Sequence, residues 1–98
     1  MEIKTTKEND QLEIALSGRL DTVTSPELEK MLKPELDGLK KLTFDFSDLE
    51  YISSAGLRVL LMAAQSMEDS GEMVVKNVNS DIMDIFDVTG FSDILNIE

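Results

Sequence analysis

Two adjacent serines, Ser53 and Ser54, are the residues best placed to do chemistry in this chain. They lie where an apolar, strand-like run gives way to an amphipathic, helix-like run. The N-terminus of a helix presents backbone N–H groups without partners and carries a partial positive charge. Both features would stabilise a phosphoryl group on a serine. The pattern favours a phosphorylation switch; the alternative is that one serine only caps the helix, as serines often do.

Two further residues could support such a site. Asp21 follows the second predicted strand, and parallel crossovers bring the ends of neighbouring strands together. Its carboxylate could orient the Ser54 hydroxyl or bind a Mg²⁺ ion delivered with a nucleotide, and the alternative is an ordinary turn aspartate. Gly56 lies in the first predicted helical turn, where glycine costs stability. It favours close approach of a partner, with tight packing against the sheet as the alternative.

A second stripe on the same predicted helix contains Arg58, Val59 and Met62. Partly exposed methionine surfaces adapt to many partners, so this stripe is a candidate for partner binding. The alternative is that the stripe packs against the preceding helix as part of the core.

Composition excludes several classes of site. The chain has no Cys and no His, which excludes disulfides, zinc sites and nucleophiles that need an imidazole base. It contains neither a glycine-rich phosphate loop nor a nucleophile elbow. The acidic residues Asp45, Asp48 and Glu50 are spaced too irregularly for a calcium loop. We therefore expect no metal, no cofactor and no enzyme activity.

The net charge restricts the possible partners. Nine Lys and Arg residues against twenty Asp and Glu residues give a formal charge of −11. This balance argues against binding to nucleic acid or to anionic membranes, and it favours a partner with a basic patch. The alternative is that the acidic surface only solvates the protein. No apolar run approaches the roughly 18 residues of a membrane span, and the polar N-terminus lacks the apolar core of a signal peptide. These features predict a cytoplasmic protein.

Periodicity predicts the elements that position these residues. Alternating apolar residues predict strands, and helical spacing of apolar residues predicts helices, with Pro34 expected to kink or break the first one. The predicted strands cover residues 1–6, 11–17, 41–46 and 73–78, and the helices cover residues 26–38, 54–69 and 80–89. Residues 47–53 are predicted to be a loop. The order β-β-α-β-α-β-α predicts an α/β fold, with a small mixed sheet and helices mainly on one face. A single domain, residues 1–98, follows from the length.

Four blocks of sequence resemble a STAS domain, and the chain most resembles the free-standing bacterial anti-sigma factor antagonists. The blocks are GRLD at 18–21, FDFSDLEYISSAGL at 44–57, GEMVV at 71–75 and FDVTGF at 86–91. They occur in the family's order and spacing over nearly the whole chain. The block that contains the serines is fairly specific to this family. Each of the other blocks is weak evidence alone, and together they strengthen the resemblance.

The resemblance implies a phosphoprotein that regulates transcription by partner switching. In this family the serine two residues before the Gly-Leu pair accepts phosphate, which here is Ser54, and the aspartate matching Asp21 lies beside it. The unphosphorylated antagonist binds an anti-sigma factor that is also a serine kinase of the GHKL ATPase type, and this binding releases the sigma factor. Phosphorylation breaks the complex, and a serine phosphatase restores the binding form. We expect the unbound chain to be a monomer.

Three positions depart from the family pattern. Ser53 replaces an aspartate, Ala55 replaces a serine or threonine, and Arg19 replaces an acidic residue. The first change leaves Ser53 as a minor candidate acceptor. Alternatives to the switch are a STAS scaffold that is never phosphorylated, a ligand-sensing STAS module that binds a nucleotide or anion, and a small hydrolase that uses the acidic residues.

Overall fold

Strands and helices alternate along the chain, and the computed structural model describes all 98 residues. The elements are β1 (Glu2–Glu8), β2 (Gln11–Leu20), α1 (Ser25–Leu32), β3 (Lys41–Ile52), α2 (Ser54–Ser70), β4 (Glu72–Lys76) and α3 (Ser80–Thr89). The sheet has the order β1-β2-β3-β4. β1 pairs with β2 in antiparallel fashion, and the β2–β3 and β3–β4 pairs are parallel. The predicted element order and the mixed sheet are confirmed.

The two central strands are longer than predicted. β2 continues to Leu20 and β3 continues to Ile52, so the prediction of a loop over residues 47–53 is wrong. The register between these strands shifts twice, between Ala15 and Ser17 and again between Gly18 and Arg19. Such irregularities break the strict alternation of inward and outward side chains. The buried positions of β3 therefore change from a spacing of two to a spacing of three residues. Because a strand is recognised in sequence by a spacing of two, the second half of β3 does not read as a strand.

Helix ends follow local signals. α1 stops at Leu32 and gives way to a 3-10 turn over Lys33–Glu35, which confirms the predicted break at Pro34. α2 ends at Ser70, and Gly71 follows it as the cap residue. α3 ends at Thr89, where Gly90 adopts the left-handed conformation that favours glycine.

The chain ends in a short turn and a single bridge. After Gly90 the chain forms a 3-10 turn over Phe91–Asp93. Ile97 then forms one parallel bridge with Val75.

The core lies between the sheet and the helices on one of its faces. Inward side chains of β2 and β3 are almost completely buried, and they include Leu12, Ile14, Leu16, Leu42, Phe44 and Phe46. The ring of Phe46 lies 6.4 Å from that of Phe86 in α3, so an aromatic contact joins the sheet to this helix. On the opposite face most side chains of β2 and β3 are polar or small and partly exposed, Val74 of β4 is buried, and Lys76 pairs with Glu13 at 2.9 Å. The strand ends at Leu20 and Ile52 carry the candidate site.

None of the helices is long and apolar enough to cross a membrane.

Candidate functional site

The ends of β2 and β3 lie side by side and bring the predicted site residues to one edge of the sheet. Leu20 pairs with Ile52, and the backbone N–H of Ser53 donates to the Leu20 carbonyl at 2.9 Å. α1 begins a short turn after Leu20, and α2 begins at Ser54. The first turns of both helices therefore open at the same edge, with Asp21 in the turn that precedes α1.

The two serines have different roles at the start of α2. Ser53 has an extended backbone, and its hydroxyl oxygen accepts the backbone N–H of Gly56 at 3.4 Å, so it is the capping residue. Ser54 is the first helical residue and is exposed, and its hydroxyl makes no hydrogen bond to the protein. The first turn of α2 contains no acidic side chain. Its partial positive charge is therefore not offset from within the helix.

Asp21 organises its own turn. One carboxylate oxygen accepts the backbone N–H groups of Val23 at 3.0 Å and Thr24 at 3.1 Å, and Arg19 lies 3.8 Å from the other oxygen. The carboxylate makes no hydrogen bond to Ser54, so the observed contacts are those of a turn aspartate. The Thr24 hydroxyl donates to the Arg19 carbonyl at 2.8 Å instead of capping α1. Thr24 therefore occupies the N-cap position of α1 without a side-chain cap, because its hydroxyl is used in the turn.

These contacts predict a pH-dependent contribution of Asp21 to stability. The backbone N–H of Thr24, followed by that of Val23, lowers the pKa of Asp21 below its usual value of 3.8. A carboxylate with a lowered pKa stabilises the fold above the unfolded-state value, and that stabilisation disappears as the pH falls through the folded-state value. We expect Asp21→Asn to lower the melting temperature at pH 7 by more than it does near pH 2.5.

Thermal unfolding followed by circular dichroism at both pH values tests this expectation. Asp37→Asn is the matched control, because Asp37 is exposed and its side chain forms no ion pair or hydrogen bond. A melting-temperature gap for Asp21→Asn that is equally large at both pH values would contradict the role of the ionised carboxylate.

Gly56 packs against the sheet. It is buried, and a Cβ atom added to it would lie 2.8 Å from Cγ1 of Ile52 and 2.8 Å from Cγ of Leu20. Both of these neighbours are almost completely buried themselves. This corrects the expectation that Gly56 belongs to a docking surface, because its face is already occupied by the ends of β2 and β3.

Gly56→Ala should destabilise the protein. Overpacking a filled site costs about 1–3 kcal/mol, and the better helix propensity of alanine returns up to about 1 kcal/mol. We expect a net loss of about 1–2 kcal/mol, or a fall in melting temperature of about 5–15 °C. Gln65→Ala, at an exposed position of α2, should leave the melting temperature nearly unchanged. A melting temperature for Gly56→Ala at or above the wild-type value would show that the site has room for a methyl group.

The predicted partner-binding stripe divides into buried and exposed parts. Val59 is only 3% exposed and belongs to the core, so its assignment to partner binding is corrected and the packing alternative holds. Arg58 is exposed and forms no ion pair, and Met62 is half-buried. Arg58 and Ala55 line a shallow groove of about 340 Å³ between the first turns of α1 and α2. Partner binding by Arg58 and Met62 stays a prediction.

Two exposed apolar side chains lie near this edge and were not among the predicted site residues. Val23 is 84% exposed in the turn before α1, and Tyr51 is 37% exposed near the end of β3. The guanidinium of Arg19 lies 4.3 Å from the centre of the Tyr51 ring, a cation–π contact. Neither residue follows a helical or strand pattern, since Val23 lies between two threonines and Tyr51 lies beyond the second register shift.

The acidic set does not form a metal site. Asp45, Asp48 and Glu50 lie within β3 rather than in a loop. The hydroxyl of Ser47, followed by the amide of Asn77 at 3.0 Å, lowers the pKa of Asp45 and gives this carboxylate a local structural role. No group of three or more acidic side chains is close enough together to hold a metal ion.

Comparison with known proteins identifies the family of this chain. The chain belongs to the STAS domain family, whose model matches residues 2–98. It is 27% identical to the anti-sigma-B factor antagonist of Staphylococcus aureus, over 99% of this chain and 92% of that protein. It is 30% identical to BtrV of Bordetella bronchiseptica, over 99% of this chain and 85% of that protein.

A solved structure shares the fold. The Bacillus anti-sigma factor antagonist SpoIIAA in its phosphorylated form superimposes with a TM-score of 0.78. The alignment covers 99% of this chain and 91% of that protein, at 16% identity. At this level of identity the likeness establishes the fold.

Proposed function

We propose that this protein is an anti-sigma factor antagonist controlled by phosphorylation of Ser54. The unphosphorylated protein binds an anti-sigma factor that is also a serine kinase of the GHKL ATPase type, and this binding releases the sigma factor. Transfer of a phosphoryl group from ATP to Ser54 ends the binding, and a serine phosphatase restores it. ATP and Mg²⁺ belong to the kinase, so this chain is a substrate and not an enzyme. The proposal implies a cytoplasmic protein, because sigma factors act there.

The observation that carries the proposal is the division of roles between the two serines. Ser53 uses its hydroxyl oxygen to cap α2, whereas Ser54 presents an exposed, unbonded hydroxyl at the positive end of the helix. A kinase can reach that hydroxyl without disturbing the helix cap. Ser54 is therefore a better acceptor than Ser53, although both serines are available in the sequence.

Electrostatics explains how one phosphate could switch binding without unfolding the protein. A phosphoryl group adds about two negative charges at neutral pH, and the N-terminus of α2 favours negative charge. The same charge is costly at an interface that must exclude water. SpoIIAA supports a switch of this kind, since its unphosphorylated and phosphorylated structures both match this fold, with TM-scores of 0.79 and 0.78.

Mass spectrometry of the protein from its own cells tests the proposal. Intact protein and peptides are measured from growing and from stressed cells, for the wild type and for Ser54→Ala and Ser53→Ala. We expect a single phosphate on Ser54 whose occupancy changes between the two states, is lost in Ser54→Ala and persists in Ser53→Ala. Absence of phosphate in both states, under conditions that preserve phosphoserine, would overturn the switch. It would favour a constitutive scaffold or a ligand-sensing module instead.

A further inference from the structure

Arg58 is a cation without a counterion at the positive end of a helix. Six of the nine Lys and Arg side chains form ion pairs, in a chain with twenty Asp and Glu residues, yet Arg58 forms none. It is the fifth residue of α2, where a positive charge is unfavourable because the helix dipole is also positive there. An anion held beside Arg58 would remove this conflict.

The spacing of Ser54 and Arg58 allows the Arg58 side chain to reach an anionic group attached to Ser54. The two residues are four positions apart in α2, so they lie on the same side of the helix, one turn from each other. Side chains of a helix lean toward its N-terminus, and the surface that Arg58 covers is therefore the first turn that contains Ser54. Both residues are exposed, so the guanidinium is free to adopt the required rotamer.

A buried hydroxyl beside the adjacent groove also lacks a partner. Ser25 is 2% exposed, and its Oγ atom makes no hydrogen bond. Ser25 and Arg58 line the same groove between the first turns of α1 and α2. Buried polar atoms nearly always have partners, and a change of rotamer that turned the Ser25 hydroxyl into the groove would let it donate to an anion oxygen there. Glu29 also lines the groove, but its carboxylate pairs with Lys33 at 3.4 Å.

We propose that Arg58 binds the phosphoryl group of Ser54 and holds it against the first turn of α2, at the mouth of the groove that Arg58 and Ser25 line. This inference rests on Ser54 as the phosphate acceptor. It adds a second element to the switch: the same phosphate that introduces negative charge also withdraws the Arg58 guanidinium from the surface that meets the partner. The position of the Arg58 side chain thus differs between the phosphorylated and the unphosphorylated form of the protein.

Phosphoserine installed at position 54 by genetic encoding tests the contact without any kinase. Melting temperatures are compared for the Ser54 and phosphoserine forms of the wild type and of Arg58→Gln. We expect phosphorylation of Ser54 to change the melting temperature by about 1–4 °C more favourably in the wild type than in Arg58→Gln, and this difference should shrink in high salt. Lys40→Gln is the matched control, since Lys40 is an exposed, unpaired cation at the opposite end of β3. It should leave the effect of phosphorylation unchanged.

Titration of the phosphate by ³¹P nuclear magnetic resonance gives a second reading. The midpoint of the phosphate titration should lie about half a pH unit lower in the protein that has Arg58 than in the Arg58→Gln variant, because the guanidinium favours the dianion. Equal midpoints and equal melting-temperature changes in the two backgrounds would overturn the inference. Failure of the proposed function is a different result: cells would then leave Ser54 unmodified, whereas the encoded phosphoserine would still report the contact with Arg58.

Discussion

Ser54→Asp should weaken binding to the anti-sigma factor by about 100-fold. A charge introduced at a desolvated interface costs about 2–5 kcal/mol, and each 1.4 kcal/mol corresponds to a factor of ten in affinity. The same aspartate should leave the fold intact or slightly more stable, because it lies in the first turn of α2, where negative charge is favourable. Weaker binding would therefore not reflect unfolding.

The partner for this experiment is the anti-sigma factor that co-purifies with the unphosphorylated protein from its own cells, with affinity measured by calorimetry. Ser54→Ala should bind as the wild type does, because the exposed hydroxyl makes no hydrogen bond within the protein. Gln65→Glu adds one negative charge at an exposed position further along α2 and should bind normally. Wild-type affinity for Ser54→Asp would favour a constitutive scaffold.

Gly71→Ala should cause the largest loss of stability among single methyl additions in this chain. A Cβ atom at Gly71 would overlap the carbonyl oxygen of Lys40 and lie 2.6 Å from its carbonyl carbon. That same carbonyl accepts the backbone N–H of Glu72 at 3.0 Å, at the start of the pairing between β3 and β4. The clash is with backbone atoms, so it cannot be relieved by a change of rotamer. We expect a loss of about 3 kcal/mol or more, and a fall in melting temperature of at least about 12 °C.

Chemical denaturation with urea measures this loss. Gly38→Ala is the matched control: a Cβ atom there has no neighbour within 4 Å, but the residue has a φ of +77°. Gly38→Ala should lower the free energy of unfolding by only about 1–2 kcal/mol, which is the usual cost of a left-handed conformation for a residue with a side chain. Equal losses in the two variants would show that backbone conformation, and not the contact with Lys40, determines the requirement for glycine at position 71.

Features set by neighbouring residues were predictable from the sequence. The break at Pro34 and the end of α3 at Gly90 depend on the backbone chemistry of single residues, and both agree with the structure. The extension of β3 to Ile52 was not predictable. It depends on pairing with β2 across two register shifts, and the partner strand is about thirty residues away in the chain.

The sequence by itself determined the order of strands and helices, the family, and the presence of two serines at the start of α2. The tertiary structure decided what the neighbouring side chains do. It shows that Ser53 caps the helix, that Gly56 faces Leu20 and Ile52, and that Asp21 bonds to its own turn. The physical reason is that periodicity and capping act over a few residues. Burial and hydrogen bonding at this edge arise instead from contacts between β2 and β3, which only the folded sheet brings together.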